Sequence, residues 1–459
     1  MTASLLVIVL EGADGRLLDT ASTDGSLPNL TALRQRGHGW RLQGVPGSTD
    51  DALWASFQYG ADLGEHGRYS VILQDDRGQR RLAIDDERDR EAFWVDLSRQ
   101  GRRVAVLDIP KVARTTPING IHLADWLVHG RYHQTPISYP AALAGDITAQ
   151  FGPAPPSRCG YTHKEGSDDA KLAAMAGHML QSVQQKRGAG LHFLAAEHWD
   201  LFLLGFKESH CSSHMLWDLH DPASPGYDAA RTERLGDPVW DVLLAQDDAV
   251  GAVVAQAGAD CDVVVFTTSD FEPNGTMSHL MIELEHRVSH YLGHHLERRP
   301  YPWLRAKLGR PIPYCRAVRC SDDFGTLRVL RQRGDTDASF RARVDLITDL
   351  VCELVDPADG LPVVRSAAHP AFERPGSRAH MLPHIVFYYR RNICPTTVHS
   401  DRLGTLSGKP PLMRPGNHEP GGFAIAAGPS ADIAAREVHT MADFAGFAGA
   451  ALSRAAAFA

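Results

Sequence analysis

The sequence has no long block of basic residues. Lys and Arg number 47 against 55 Asp and Glu, which gives a formal net charge of −8 over 459 residues. Charges of both signs are interspersed along the chain, so a polyanion would meet no basic patch. We therefore expect no nucleic-acid partner.

Cysteine is sparse and shows no pairing pattern. The seven cysteines are odd in number, are scattered over the chain and include no CxxC pair. This usage predicts reduced thiols rather than a disulfide framework, and it therefore predicts the cytoplasm as the compartment. Internal repeats and low-complexity tracts are also absent.

Long apolar runs are missing as well. The opening stretch, MTASLLVIVLEGADG, has one short apolar run, no basic lead, and Glu11 directly after the run. Such a stretch fits neither a signal peptide nor a membrane span, and we expect no membrane partner. We interpret it as the first buried strand of the fold.

What the sequence does contain is an alternation of strands and helices. LLVIVL, RVAVLDI, WDLFLLGF and CDVVVFTTS are nearly continuous apolar runs, as strands buried on both faces should be. Amphipathic stretches lie between them and predict an α/β fold, a mostly parallel sheet with helices on both faces. Ligands collect at the carboxyl ends of such strands, where we place Glu11, Asp108, Glu208 and Asp270.

One segment breaks the alternation. Residues 298–383 are rich in Pro and Arg, as in RRPYPWLRAKLGRPIP and LRVLRQRGD. The length suits one large domain with an insertion. We therefore predict a core formed by residues 1–297 and 384–459, with an inserted cap at 298–383 that would set the substrate.

Two stretches near the first strand offer chemical groups. Glu11 at a strand end is a candidate ligand, although charged strand ends are common without any function. The loop GVPGSTDDALW brings Ser48 and Thr49 to a predicted helix start, where the positive helix end favours an attacking alkoxide or an incoming anion. Ser48 and Asp51 also fit a capping box, so a purely structural role stays open.

The most specific local signal is a histidine pair. In ESHCSSHMLW, His210 and His214 are four residues apart, so on a helix their rings share one face and can hold one transition metal. Paired histidines on a helix can also be structural. A later glycine-rich loop, NHEPGGFAIAAGP, carries His418 before another apolar strand.

Taken in order, these motifs resemble the alkaline phosphatase superfamily. LEGADG, DDALWASFQYGADLGEHGRY, ESHCSSHMLW, TTSDFEPN and NHEPGGFAIAAGP follow one another as in type I phosphodiesterases/nucleotide pyrophosphatases and their predicted phosphohydrolase/phosphomutase branch. The resemblance covers nearly the whole chain. It implies an alkaline-phosphatase-like fold, two divalent metals, usually zinc, a Thr or Ser nucleophile and a covalent intermediate. The metal ligands that it implies are Glu11, His210, His214, Asp270 and His418.

The chain departs from the family at the nucleophile-side metal. Phe271 stands where a ligating histidine is usual, so we expect one firm zinc site at the histidines and a second site that is weak or altered. The nucleophile is also open, because counting back four residues from Trp54 reaches Asp50 rather than Thr49 or Ser48. A water on the remaining metal is a further candidate.

These features predict a metal-dependent enzyme acting on a phosphate ester or diester of a small molecule, with sulfate or phosphonate as related substrates. Glu208, two residues before His210, would orient a ligand or act as a base, unless it pairs with a cation. The alternatives are an enzyme of the same fold with different group-transfer chemistry and a non-catalytic relative that binds a metal or ligand.

Overall fold

One large sheet organises the chain. The computed structural model describes residues 3–45, 48–74, 79–83, 90–128, 133, 135–156, 168–293, 314–318, 324–410 and 413–457. Eight strands form the sheet, in the order β2 (Gly37–Arg41), β16 (Gly416–Ala427), β9 (Asp262–Pro273), β1 (Ala3–Leu10), β8 (Trp199–Phe206), β5 (Val104–Leu107), β6 (Gly120–Ala124) and β7 (Ile137–Tyr139). The five strands from β9 to β6 are parallel, and β16 runs antiparallel to β9.

Helices cover both faces of this sheet. In chain order the helices are α1 (Gly15–Asp24), α2 (Pro28–Gln35), α3 (Asp50–Tyr59), α4 (Leu63–His66), α5 (Phe93–Arg99), α6 (Leu143–Phe151), α7 (Asp169–Ala196), α8 (Glu208–Leu216), α9 (Ala229–Leu235), α10 (Pro238–Ala257), α11 (Met281–Tyr291), α12 (Asp337–Cys352), α13 (Pro370–Glu373), α14 (Ala431–Glu437) and α15 (Asp443–Ala457). No helix among the described residues is both long and apolar enough to cross a bilayer.

Alternate residues of β1 enter two separate cores. Leu6 and Ile8 pack with the buried faces of α1, α2, α7 and α10, whereas Leu5 and Val7 pack with those of α3, α5 and α15. A strand whose side chains are buried on both faces needs an apolar residue at every position, which explains the continuous run LLVIVL. The predicted α/β class, with helices on both faces, is confirmed.

A second, antiparallel sheet has its own core. Its strands follow the order β10 (Cys315–Ala317), β11 (Phe324–Val329), β13 (Ile385–Tyr389) and β12 (Val364–Ala368). Helix α12 and the hairpin of β14 (Thr397–Ser400) and β15 (Gly404–Ser407) contribute to its apolar cluster. Residue 298, where the cap was predicted to begin, lies outside the described residues. A short hairpin of β3 (Ile72–Gln74) and β4 (Arg80–Leu82) completes the strands.

The carboxyl ends of the parallel strands meet at one edge of the large sheet. Glu11 follows β1, Asp108 follows β5, and Glu208 opens α8 just after β8. The prediction that Asp270 follows its strand is wrong, because β9 continues to Pro273 and pairs with β16 along this extension. Alternation along the strand therefore decides where the side chains near Asp270 point.

Candidate metal centre

Three histidine rings converge at this edge. His210 and His214 lie one turn apart on α8, and their ring centroids are 4.5 Å apart. His418 reaches them from β16: its Nε2 lies 3.1 Å from Nε2 of His214 and 3.2 Å from Nε2 of His210. The structure thus brings together three imidazole nitrogens from two distant parts of the sequence.

Hydrogen bonds to the other ring nitrogens fix these orientations. Nδ1 of His214 donates to the carbonyl oxygen of Gly416 at 2.8 Å, so Nε2 carries the lone pair. Nδ1 of His418 is bonded to the Ser269 hydroxyl at 2.9 Å. Partners of this kind orient the ring of a metal-binding histidine in many proteins.

The local electrostatics favour neutral rings. Burial, together with the charge of Arg414, lowers the pKa of His214 well below its usual value. Burial also lowers the pKa of His418, although the Asp50 carboxylate opposes that shift. At neutral pH these imidazoles are therefore uncharged, the state in which histidine binds a metal.

The residues present fit one divalent cation. A tetrahedral zinc ion with Zn–N bonds of about 2.0–2.1 Å has ligand atoms roughly 3.3 Å apart, close to the 3.1 and 3.2 Å separations of the Nε2 atoms. Without a cation, the Nε2 lone pair of the buried His214 would lie beside the ring nitrogens of the two other histidines. The three nitrogens also lie within 4.8 Å of one another.

Phe271 packs against one side of the cluster formed by the three histidines. Its fully buried ring packs edge-on against His214 and His418, with centroid distances of 4.9 and 4.5 Å. Phe271 lies directly opposite His418 in the ladder between β9 and β16. The ring thus supports the imidazoles of His214 and His418 from one side.

Asp270 points elsewhere. Both of its carboxylate oxygens accept hydrogen bonds from Nη2 of Arg41 at 2.6 Å, and Arg16 lies 3.8 Å away. Because Ser269 and Phe271 face the histidines, the alternation of the strand turns Asp270 to the opposite side. The structure does not bring this carboxylate into either group of potential ligands found among the described residues.

Glu11 and Asp50 form a second polar group beside His210. Glu11 is fully buried; its Oε1 accepts a hydrogen bond from the Trp54 indole at 3.1 Å, and its Oε2 has no hydrogen-bond partner in the described part of the chain. Asp50 Oδ2 lies 3.6 Å from Nε2 of His210 and contacts Nζ of Lys111. These carboxylates therefore adjoin the histidine cluster.

The two carboxylates differ in charge state. Burial and the neighbouring Asp50 raise the pKa of Glu11 to about 7. Burial also disfavours the charge of Asp50, but Lys111 and His210 outweigh it and hold the pKa of Asp50 well below its usual value. Asp50 is therefore the carboxylate that stays ionised at neutral pH.

The two hydroxyls predicted as nucleophiles bond to the backbone. Thr49 caps α3: its Oγ1 accepts from the amide of Ala52 at 3.3 Å and donates to the carbonyl oxygen of Tyr69. The Ser48 hydroxyl donates to the carbonyl oxygen of Val45 at 2.7 Å. The structure therefore leaves Asp50 as the predicted catalytic residue of this loop that reaches the histidines.

Glu208 belongs to a buried charge network beneath α8. Its Oε1 accepts from the Ser182 hydroxyl at 2.6 Å and pairs with Lys186 at 3.1 Å. Lys186 also pairs with Asp108 at 3.0 Å, and Asp108 pairs with Lys207 at 2.8 Å. Glu208 thus anchors the start of the helix that carries His210.

A pocket opens from the histidines toward the second sheet. Its lining includes Asp50, Ser269 and His418, and also Phe324 and Tyr388 of the second sheet. The first group is polar and the second is aromatic. The arrangement suits a molecule with one charged end and one apolar end.

Lys111 is the main residue that the sequence analysis missed. It follows Pro110 in a loop after β5, with no neighbouring motif to mark it, and it is 2% exposed. Its place shortly after a strand end, at the edge where ligands collect, was the available signal. Only the fold brings it to Asp50, which is 61 residues away.

Comparison with known proteins gives the family. The sequence profile described as type I phosphodiesterase / nucleotide pyrophosphatase matches residues 5–320. The sequence matches none of the curated proteins with which it was compared.

Solved structures share the fold. Phosphonoacetate hydrolase from Sinorhizobium meliloti 1021 is similar both in complex with phosphonoformate (TM-score 0.57) and in complex with phosphonoacetate (TM-score 0.53). In both, identity is 15%, with 97% of this chain and 95% of the hydrolase covered. Murine ectonucleotide pyrophosphatase / phosphodiesterase 5 aligns at TM-score 0.47 and 11% identity, over 93% and 88% of the two chains.

The profile match extends over more than half of the 459 residues. It confirms the expected enzyme class, a phosphoesterase, and it agrees with the motif order seen in the sequence. The chain therefore belongs to the type I phosphodiesterase/nucleotide pyrophosphatase family of the alkaline phosphatase superfamily.

Proposed function

We propose that this chain is a metal-dependent hydrolase that cleaves a phosphate ester, phosphate diester or phosphonate of a small molecule. The observation that carries the proposal is the convergence of three Nε2 atoms from His210, His214 and His418. The family match supports phosphoester chemistry. The similarity to phosphonoacetate hydrolase supports the inclusion of phosphonates among the proposed substrates.

The three histidines would hold one zinc ion. Neutral imidazoles suit zinc, and three protein nitrogens leave a coordination position open, as in catalytic sites. When bound, such an ion acts as a Lewis acid that polarises an ester oxygen and acidifies water. The hydrogen bond that His214 donates to the carbonyl oxygen of Gly416, and the one between His418 and the Ser269 hydroxyl, would keep these two rings in place.

Asp50 is the group that we assign to the displacement step. Its ionised carboxylate faces the pocket beside His418, so it can orient a water molecule toward the phosphorus atom. The oxygen of that water forms a bond to phosphorus as the bond from phosphorus to the leaving group breaks, and the proton of the water passes through Asp50 to the departing group. Ser48 and Thr49 would support the loop that presents Asp50.

The pocket supports a substrate with an apolar or aromatic end. The phosphoryl group would lie between Asp50 and His418, and the organic group would lie against Phe324 and Tyr388. Both aromatic residues come from the second sheet, in β11 and β13. We therefore propose that this sheet, part of which was predicted as the cap, sets the substrate.

We also propose that the protein acts in the cytoplasm. Cys211, Cys261 and Cys315 are buried and form no disulfide bond within the described part of the chain, which supports a compartment that keeps thiols reduced.

The test combines metal analysis with substrate hydrolysis. We expect elemental analysis to find zinc in the wild type, and the His214→Ala variant to lose most of the metal together with hydrolysis of aryl phosphate, phosphodiester and phosphonate esters. His279→Ala is the matched control, because its ring bonds to the carbonyl oxygen of Pro395, away from the cluster. Full zinc content in His214→Ala would rule out the metal site, and a zinc-loaded wild type that cleaves none of the esters would rule out the substrate class.

A further inference from the structure

The residues that would hold a second divalent cation have protein partners instead. Phe271 offers no ligand atom, and Asp270 is bound by Arg41 and by Arg16. Among the residues that the structure describes, Glu11 and Asp50 remain at this side of the site, together with Nε2 of His210. The two-metal arrangement implied by the family resemblance therefore has to be built from these three groups.

His210 cannot serve two ions with one nitrogen. The Nε2 atom that lies 3.6 Å from Asp50 is the same atom that lies 3.2 Å from Nε2 of His418. A ring nitrogen has a single lone pair, which binds one metal ion. Once His210 binds within the histidine cluster, two carboxylates are left, so a divalent cation there would have to be a hard ion that completes its coordination with water.

A buried ammonium group already lies against one of these carboxylates. Lys111 Nζ contacts Asp50 Oδ2, and the Lys111 side chain is 1% exposed. Glu11 lies close enough to Lys111 and Lys207 that both ammonium groups lower the pKa of its carboxyl, against the larger effect of burial. The negative charge at this side of the site is therefore balanced by lysine.

The backbone holds Lys111 at this position. Its φ is 58°, a left-handed conformation that a residue with a side chain adopts only when its surroundings impose it. The carbonyl oxygen of Lys111 accepts hydrogen bonds from Gln58 at 3.2 Å and from Arg68 at 3.4 Å, and both donors are buried. These contacts fix the loop, so they hold the ammonium group of Lys111 beside Asp50.

We propose that the ammonium group of Lys111 takes the place of the second divalent cation, so that the site combines one metal ion with one fixed protein charge. The inference rests on the proposed function only in taking the three histidines as the ligands of the first ion. Lys111 is a positioning residue that acts through Asp50: its ammonium group pairs with that carboxylate and directs it at His210. It also excludes a second metal from the space between Glu11 and Asp50.

The metal stoichiometry of the wild type and of a lysine variant tests the proposal. Metal-free wild type titrated with Mn²⁺ should bind one ion per chain and give the electron paramagnetic resonance spectrum of an isolated ion. In Lys111→Met the unpaired carboxylates should admit a second ion, so the stoichiometry rises from one to two and a spin-coupled spectrum develops. Lys111→Arg, which keeps a cation, and Lys171→Met, on the exposed face of α7, should both stay at one ion.

Two results would overturn the proposal: a spin-coupled pair of ions in the wild type, or a stoichiometry that stays at one in folded Lys111→Met. If Lys111→Met does not fold, the wild-type spectrum alone decides, since a coupled pair contradicts the proposal and an isolated ion supports it. Failure of the proposed function has a different signature. It would show as metal retained in His214→Ala, or as no ester hydrolysis by a wild type that binds one ion.

Discussion

At the residue scale, Phe271 shows how one side chain changes the character of the site. Its ring closes the back of His214 and His418, so water cannot reach those imidazoles from that side. An apolar neighbour disfavours a charged imidazole and keeps the ring nitrogens available to a cation. Phenylalanine offers no ligand atom at this position, and it stabilises the two imidazoles by packing.

Asp50 and Thr49 are adjacent but should differ in their effect on turnover. Asp50→Asn removes the proton acceptor, so we expect turnover to fall by about 10²- to 10⁴-fold. It also leaves the buried Lys111 without a charged partner, so the free energy of unfolding should fall as well. Thr49→Ala removes a helix cap, so we expect the free energy of unfolding to fall by about 1 kcal/mol. Its turnover should stay within a few fold of the wild type.

Urea unfolding and steady-state hydrolysis distinguish these outcomes. Ser48→Ala, which removes only the hydroxyl bonded to Val45, is the control for a general disturbance of the loop. A loss of several orders of magnitude in Thr49→Ala, at unchanged stability, would identify Thr49 as the nucleophile and contradict the role of Asp50.

His122 allows a prediction about pH and stability away from the metal centre. Burial lowers the pKa of its ring from 6.5 to about 3. Unfolded chains take up a proton there near pH 6.5 and folded chains only near pH 3. The stability linked to neutral His122 is therefore complete above pH 6.5 and is lost as the pH falls toward 3.

We expect His122→Phe to reduce this dependence. As the pH falls from 6 to 4, the free energy of unfolding of the wild type should drop by about 1.4 kcal/mol per pH unit more than that of the variant. Denaturant unfolding at pH 7, 6, 5 and 4 measures the difference, with the exposed His399→Phe as the control for losing a histidine. If the free energy of unfolding falls equally with pH in His122→Phe and in the wild type, the His122 ring is protonated in the folded chain.

At the element scale, the structure separates what periodicity can reveal from what it cannot. The run LLVIVL predicted β1, and the four-residue spacing of His210 and His214 predicted one helix face, because both are local properties of the chain. The end of β9 was not predictable in this way. Its extension is imposed by pairing with β16, about 150 residues later, and the alternation of that extension turns Asp270 away from the histidines.

The residues of the candidate site divide in the same way, into those that a local pattern marks and those that only tertiary contacts place. The convergence of the three histidines could be predicted because recognisable motifs carry them, whereas the position of Lys111 depends on a loop conformation that no local pattern encodes. The charge network that joins Glu208 to Lys186 likewise depends on α7 packing against α8. Tertiary contacts, and not local propensity, decide which candidate residues meet.

The contact between Gly12, in the loop after β1, and His210 on α8 leads to another prediction. Gly12 has φ +69°, and a Cβ atom there would lie 2.5 Å from Cα of His210. Gly12→Ala should therefore push α8 away and weaken metal binding by at least about tenfold, as a misplaced ligand does. Gly25 has φ +91° and nothing within 4 Å of an added Cβ, so Gly25→Ala shares the backbone strain without the clash.

Competition with a chelator measures the metal dissociation constant of both glycine variants. We expect Gly25→Ala to lose about 1 kcal/mol of stability and to keep its metal affinity. Equal metal affinities in the two variants would mean that the contact between Gly12 and His210 does not position the histidine.

At the scale of the whole molecule, a cluster of charges joins the two sheets beside the pocket. Arg365, on β12 of the small sheet, bonds to Glu272 on β9 at 2.9 Å and contacts Glu419 on β16. Arg391 contacts Glu272 from the end of β13. These arginines tie the aromatic wall of Phe324 and Tyr388 to the strands that carry the metal centre.

Loss of this tie should affect both stability and substrate binding. We expect Arg365→Gln to lower the free energy of unfolding by about 1–3 kcal/mol, because two carboxylates lose a charged hydrogen-bond donor, and to raise KM because the wall loses its anchor. Arg402→Gln breaks the ion pair between Glu353, which follows α12, and the hairpin of β14 and β15. It should lower the free energy of unfolding by about 0–1 kcal/mol without changing KM. An unchanged KM in Arg365→Gln would show that the wall is held by other contacts.

The separation of the histidines along the chain has a consequence for biosynthesis. His214 and His418 are 204 residues apart, and a ribosome adds about 5–20 residues per second. On the proposed assignment, a nascent chain would therefore present only the two nitrogens of α8 for roughly 10–40 s before the third is made. Firm capture of the ion would have to wait until β16 has paired with β9, so the newly made protein would receive its metal only after the large sheet is complete.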